Sequence, residues 1–165
     1  MKDVLETTPQ NASVDTGVRD TGPLAEALSD VLADTYRLMF KTHAYHWNVE
    51  GPLFFSIHNL TEQQYEDLFA AADELAERIR ALGHLAPLSM ADILERSVIK
   101  DPEGTPDART MVEDLAKDHE RIAHRMHALI EMTEERKDVV TEDIATARSA
   151  FHEKAAWMLR AIAKE

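Results

Sequence analysis

The sequence predicts an all-α fold: a four-helix bundle with a short extra helix in the long connection between the second and third helices. Three observations carry this expectation. Only five of the 165 residues are glycine, while alanine, leucine and glutamate abound. Four long stretches repeat apolar side chains at helical spacing. The links between those stretches are short except the middle one, as in a bundle with one crossover. A chain of this length is enough for one core and short for two. The expected organisation is an N-terminal arm over residues 1–23 and one bundle domain over residues 24–165.

Residues 1–23 are rich in Thr, Asp, Gly and Pro with little apolar content, so they read as a flexible arm ending at Pro23. A first helix is expected over residues 24–47, its apolar spacing supplied by Leu24, Leu28, Val31, Leu32, Leu38 and Met39. The breaker pair Gly51-Pro52 follows. A second helix is expected over residues 54–82, with Ile57, Leu60, Leu68, Ala72, Leu75, Ile79 and Leu82 as its stripe and Gly83 as its C-terminal stop. The Pro-containing segment after it has Ser89 placed to cap a short helix over ADILER. Its length predicts a crossover between distant helix ends. The third helix is expected over residues 108–133, through Val112, Leu115, His119, Ile122, Met126 and Leu129. The fourth is expected to start near Thr141 as N-cap, with Glu142 and Asp143 in its first turn, and to run through Ile144, Ala147, Phe151, Met158 and Ile162.

Composition excludes several functions. There is no cysteine, which rules out disulfides and thiolate metal sites and fits a reducing cytoplasm. No apolar run approaches the roughly 20 residues needed to span a bilayer, and the N-terminus lacks the pattern of a secretory signal. No membrane partner is therefore expected. The net charge of −13 repels nucleic acid on average and attracts cations.

The acidic balance becomes specific in the second helix. His58 and Glu62 form one i,i+4 pair, and Asp73 and Glu77 form another; residues four apart share a helix face. His46 sits near the end of the first helix, where the 48–53 loop can fold it towards His58. Imidazole with carboxylate suits iron, manganese or zinc, and carboxylate-rich sets lean to iron and manganese. The two pair centres are separated by fifteen residues, roughly 22 Å along a straight helix. A two-metal site spans only about 3.5–4 Å, so one helix cannot close both pairs on one centre. Two antiparallel copies of the helix can, with a two-fold axis near residues 67–68 and two identical sites. On a helical wheel the ligand stripe lies roughly 150° from the apolar stripe. Phe55, Tyr65 and Phe69 fall on that ligand side, which points to a buried surface at an interface.

The stretch HAYHWNVEG over residues 43–51, with Phe54, His58 and DELAER over residues 73–78, resembles the Dps family of mini-ferritins. The resemblance covers about residues 24–163. It implies a ferritin-like bundle assembled as a homo-oligomer, a dodecameric hollow shell built from two-fold dimers. Ferroxidase sites would lie at the two-fold interfaces, binding iron as a single- or two-metal centre. His46, His58 and the acidic residue at 62 would come from one subunit, Asp73 and Glu77 from its neighbour. The family commonly has Asp where this chain has Glu62, one methylene longer. Trp47 matches a tryptophan thought to donate an electron to the site or shield it; interface packing is the alternative. Asp143, and with it Glu134, fall near an acidic three-fold iron pore, with helix capping the simpler role for Asp143.

The activity so implied is oxidation of Fe²⁺, preferably by hydrogen peroxide, with storage of ferric mineral in the shell and protection against oxidative stress. The alternative is a DNA-binding, nucleoid-compacting protein with little ferroxidase activity. That family compacts DNA through Lys/Arg-rich tails, yet the arm here sets Lys2 and Arg19 against Asp3, Glu6, Asp15 and Asp20, and the C-terminus has no basic extension. DNA binding is expected to be weak or absent. The expected location is the cytoplasm, nucleoid association going with the DNA-binding alternative. A third reading is a structural cage whose sites have decayed or prefer zinc or manganese. The residues offer no E-x-x-H pair for a di-iron site inside the bundle, and His119 reads as a core histidine.

Overall fold

A computed structural model describes residues 5–12 and 14–164. Lys2 and Asp3, counted in the charge of the arm, lie outside the described residues. Among the described residues there are five helices and no strand: α1 (Thr21–Asn48), α2 (Phe54–Ala81), α3 (Met90–Arg96), α4 (Ala108–Arg136) and α5 (Val139–Ile162). The four long helices form the bundle, α1 packing mainly on α2 and α4 mainly on α5. The short α3 lies against α1 within the crossover.

α1 starts earlier than the sequence predicts. Pro23 stands inside its first turn rather than before it. The first helical N–H groups have no intrahelical acceptor, so proline costs no hydrogen bond there. The arm runs beside the α2–α3 corner: Ala12 N–H donates to Gly83 O at 3.1 Å, and Leu85 N–H donates to Asn11 Oδ1 at 3.1 Å. Arg19 N–H also donates to Arg136 O at 3.2 Å.

The end of α2 follows from Gly83. Its φ of 93° is left-handed, a conformation glycine adopts without a Cβ penalty. Gly83 N–H donates to Arg80 O at 3.0 Å and His84 N–H to Ile79 O at 3.2 Å, the paired closure of a Schellman motif. Ser89 caps α3 as expected, its hydroxyl accepting from Asp92 N–H at 3.1 Å.

The apolar stripes expected in α1, α2 and α4 form the core. Leu24, Leu28, Leu38, Leu68, Leu75, Ile79, Leu115, Ile122, Met126 and Leu129 are fully or almost fully buried. His119 is fully buried among them. α5 differs in two respects. It begins at Val139, and its N-cap is Asp138, which accepts from Thr141 N–H at 3.0 Å. Thr141 is thus the third helical residue, not the cap. Moreover, its buried face is Thr141, Ala145, Arg148, Ser149, His152, Ala155, Ala156 and Leu159. Ala147 is exposed and Ile144, Phe151, Met158 and Ile162 are only partly buried. The buried face carries Arg148, Ser149 and His152, so hydropathy marks the neighbouring face instead.

Buried ion pairs lock the helices in register. Lys41 Nζ lies 2.6 Å from both Asp114 and Asp118, joining α1 to α4. Asp34 Oδ2 pairs with Arg125 at 2.9 Å, while its Oδ1 accepts from Ser97 Oγ and Val98 N–H and so ties the crossover to α1. Arg78 reaches from α2 to the start of α5, 2.6 Å from Asp138 and 2.9 Å from Thr141 Oγ1. Burial alone would raise the Asp138 carboxyl, but the hydrogen bonds from Arg78 and Thr141 hold it below its ordinary value.

Candidate metal centre

The last turn of α1 and the first turns of α2 bring His46 and His58 together. The 49–53 link reverses the chain, so the two rings stack with centroids 3.7 Å apart and planes 17° from parallel. Each ring is held by the backbone of the other residue. His46 Nδ1 lies 2.9 Å from His58 O, and His58 Nδ1 lies 2.9 Å from His46 O. A carbonyl only accepts, so each Nδ1 carries the proton and donates. Each Nε2 then keeps its lone pair, the form a metal ligand needs. Thr61, fully buried, adds to the support: its hydroxyl donates to Ile57 O at 2.7 Å and lies 3.4 Å from His46 Nδ1.

An aromatic wall surrounds the pair. His43 stacks on Tyr65 at 4.1 Å between centroids and lies 4.0 Å from Trp47. Phe54 stacks on His58 at 4.9 Å. Glu62 follows His58 by one turn and is half-buried. Partial burial, then the Glu62 and Glu66 carboxylates, push the Tyr65 phenol up, which places the charge of Glu62 beside this wall. His43, Thr61 and Tyr65 are supporting residues whose contacts the sequence motif leaves open. The i−3 spacing of His43 from His46 and the i+3 spacing of Thr61 from His58 are the signals that could have found them.

Asp73 and Glu77 lie further along the same continuous helix, exposed. They line a hollow of about 430 Å³ with Asp67, Ala70, Ala71, Glu74 and Arg148. Arg148 sits 2.6 Å from Asp67 in that hollow. The structure therefore unites His46 with His58 at one end of α2, with Glu62 one turn further on, and sets Asp73 and Glu77 towards the other end, roughly 22 Å away by helical rise. Among the described residues, no three His, Asp or Glu side chains of the single chain form a group able to hold a metal ion.

The α2 face that carries His58, Glu62, Asp73 and Glu77 is turned from the chain's own core, whereas His46 of α1 is buried, 7% exposed. Trp47, Phe55 and Phe69 on that side are 57%, 76% and 64% exposed, as is Phe40 of α1 at 60%. Between α1, α2 and the crossover lies an apolar groove of about 680 Å³ whose wall includes Tyr36, Phe69, Leu88, Met90 and Asp73. Glu134, in the last turn of α4, and Asp143, in the second turn of α5, are exposed on either side of the α4–α5 turn. Asp143 is not the cap of α5, since Asp138 has that role.

The ferritin-like domain family matches residues 25–165. A low-temperature-induced protein of Nostoc is 40% identical over 81% of this chain and 75% of its own length. DNA protection during starvation protein 2 of Bacillus anthracis is 36% identical over 82% of this chain and 93% of its own. Among solved structures, Dps from Staphylococcus aureus superposes with a TM-score of 0.83 at 31% identity, covering 86% of this chain and 95% of that one. Dps from Vibrio cholerae O1, described as one of the ferritin-like diiron-carboxylate proteins, gives 0.83 at 32% identity over 87% and 91%.

Proposed function

The chain belongs to the Dps family of ferritin-like proteins, and from that premise we propose that it oxidises ferrous iron at sites shared between two copies and stores the ferric product within a hollow homo-oligomeric shell. The observation that carries this reading is the reciprocal hold of His46 and His58. It leaves two Nε2 lone pairs one helical turn from Glu62, and among the described residues no further carboxylate joins them to complete a ligand set.

The donor set suits the cargo. Imidazole Nε2 lone pairs suit ferrous iron, and hard carboxylates favour the ferric product. Asp73 and Glu77 of a second copy would complete each site, and the exposed aromatics would be buried by the same contact. Two ferrous ions each give one electron to hydrogen peroxide. Its O–O bond breaks, two protons are taken up, and two waters form without a hydroxyl radical being released. Trp47, within the aromatic wall, would shield the site or supply an electron. Glu134 and Asp143 are assigned to an acidic entry for Fe²⁺, where carboxylates concentrate cations. The cytoplasm is the compartment this reading fits, and protection against peroxide is its benefit.

Complementation tests it. Peroxide-dependent Fe²⁺ oxidation is measured for assemblies of His58→Ala, of Asp73→Ala, and of the two variants unfolded and reassembled together. The expected result is near loss of site-catalysed oxidation in each variant alone and partial recovery in the mixture, since some interfaces regain an intact set. Wild-type rates in either variant alone would refute the ligand assignment. Absence of recovery despite demonstrated mixing would refute the shared site.

A further inference from the structure

The centre of the bundle contains a polar layer that the candidate metal centre does not use. Each long helix contributes one buried polar side chain to it: Thr42, Gln64, His119 and His152. Contacts between helix pairs set their level. Lys41 meets Asp118 across α1 and α4. His46 meets His58 across α1 and α2. Arg148 meets Asp67 across α5 and α2, and His119 Nδ1 lies 2.8 Å from His152 Nδ1. Followed around the bundle at about 1.5 Å per residue, these registers place the four side chains within about one helical turn of a common plane.

The layer is short of partners. Thr42 Oγ1, Gln64 Oε1 and Nε2, His119 Nε2 and His152 Nε2 are buried with no hydrogen-bond partner, as are Nε and Nη2 of the adjoining Arg148. Leaving this many polar atoms dry would cost an amount comparable with the entire folding free energy of a domain. Something must therefore donate to and accept from them.

The chemistry of the layer disfavours a cation. The contact between the two Nδ1 atoms requires one ring to donate and the other to accept. Only one Nε2 then keeps a lone pair, and the other carries a proton. Ala116 and Ser149, three residues before the histidines, offer none of the carboxylates that bundle metal sites take from that position. Asp118 and Asp67 are engaged by Lys41 and Arg148. Burial, and then the Arg148 charge, hold His119 down to about 3. Burial, His119 and Arg148 push His152 well below the ordinary histidine range. The rings are neutral near pH 7, and the ligand they suit is neutral and both donates and accepts.

We propose that this layer is a binding site for ordered internal water, a small cluster held between the four long helices that bridges Thr42, the Gln64 amide and the two histidine Nε2 atoms. A water can accept from the protonated Nε2 and donate to the other, which neither a cation nor an anion can do. The site holds α1 and α2 to α4 and α5 through solvent where direct apolar packing is interrupted.

A high-resolution crystal structure of the full assembled protein, paired with water relaxation dispersion in solution, tests the proposal. The expected result is solvent density within hydrogen-bond distance of the Gln64 amide and both Nε2 atoms. In solution, long-lived internal water is expected in the wild type and at least one such molecule is expected to be lost in Gln64→Leu. A dry layer closed by direct bonds from Gln64 to the histidines would overturn it, as would a metal ion seen there by anomalous scattering. An undiminished internal-water signal in Gln64→Leu would do the same. If Gln64→Leu does not assemble, the density in the wild-type crystal decides.

Discussion

His46 and His58 show how a ligand is prepared before any ligand arrives. Each ring is fixed by the backbone carbonyl of the other residue, so the path of the chain, rather than the partner side chain, sets both ring orientations. Glu62 stands on the same face with one methylene more than aspartate, and Tyr65 lies within the reach of its charge. The buried histidines of the polar layer behave differently. Burial holds the folded value of His119 at about 3, against an ordinary value of 6.5. Below about pH 6.5 the unfolded chain takes up protons that the folded chain refuses. Stability is therefore fully present above that pH and falls as pH drops towards 3, by up to about 1.4 kcal/mol per pH unit for each such histidine. Urea unfolding at pH 7 and pH 5 should show the loss, and it should be smaller in His119→Gln. An equal loss in that variant would show that other groups cause it.

At the scale of single helices, each terminus has an identifiable cause. α2 closes on a left-handed glycine, Gly83, whereas α4 closes on Lys137, which has φ 59° and ψ 41° and is therefore left-handed with a side chain. Its N–H still donates towards Glu134 O at 3.4 Å, so the turn is made at the expense of local strain. Lys137→Gly should relieve it and stabilise the chain by about 0.5–1 kcal/mol; a lower denaturation midpoint would show that the lysine makes a compensating contact. α5 was the least legible helix. It starts before Thr141 because the Asp138 carboxylate is the cap, accepting from both the N–H and the hydroxyl of Thr141. Its inward face was displaced because Arg148, Ser149 and His152 are buried there, and periodicity in hydropathy cannot reveal an inward polar residue. α2 is the opposite case, where an apolar stripe and a ligand stripe on opposite faces were both readable from spacing.

At the scale of the whole molecule, charge and shape bear on partners. A net charge of −13 repels the phosphate backbone on average. In a gel shift at about 150 mM salt without divalent cations, no retardation of duplex DNA is expected. Tight binding there would restore the nucleoid-compacting alternative. The exposed Trp47, Phe55 and Phe69 and the groove beside Asp73 form a face that a second copy would cover in the proposed shared site.

By itself, the sequence determined the four-helix plan, the capped helix in the crossover, and the fact that His58, Glu62, Asp73 and Glu77 share a face turned from the apolar core, all of which follow from periodicity and spacing within helices; the family was legible from the resemblance of residues 43–51, His58 and residues 73–78. Only the tertiary structure decided that His46 and His58 hold one another's tautomers, that Arg78 joins α2 to the cap of α5, and that His119 and His152 meet in the buried core across α4 and α5. Those features depend on polar groups distant in sequence finding one another across helices. A polar side chain carries no mark in the sequence that tells whether it will face water or a remote partner.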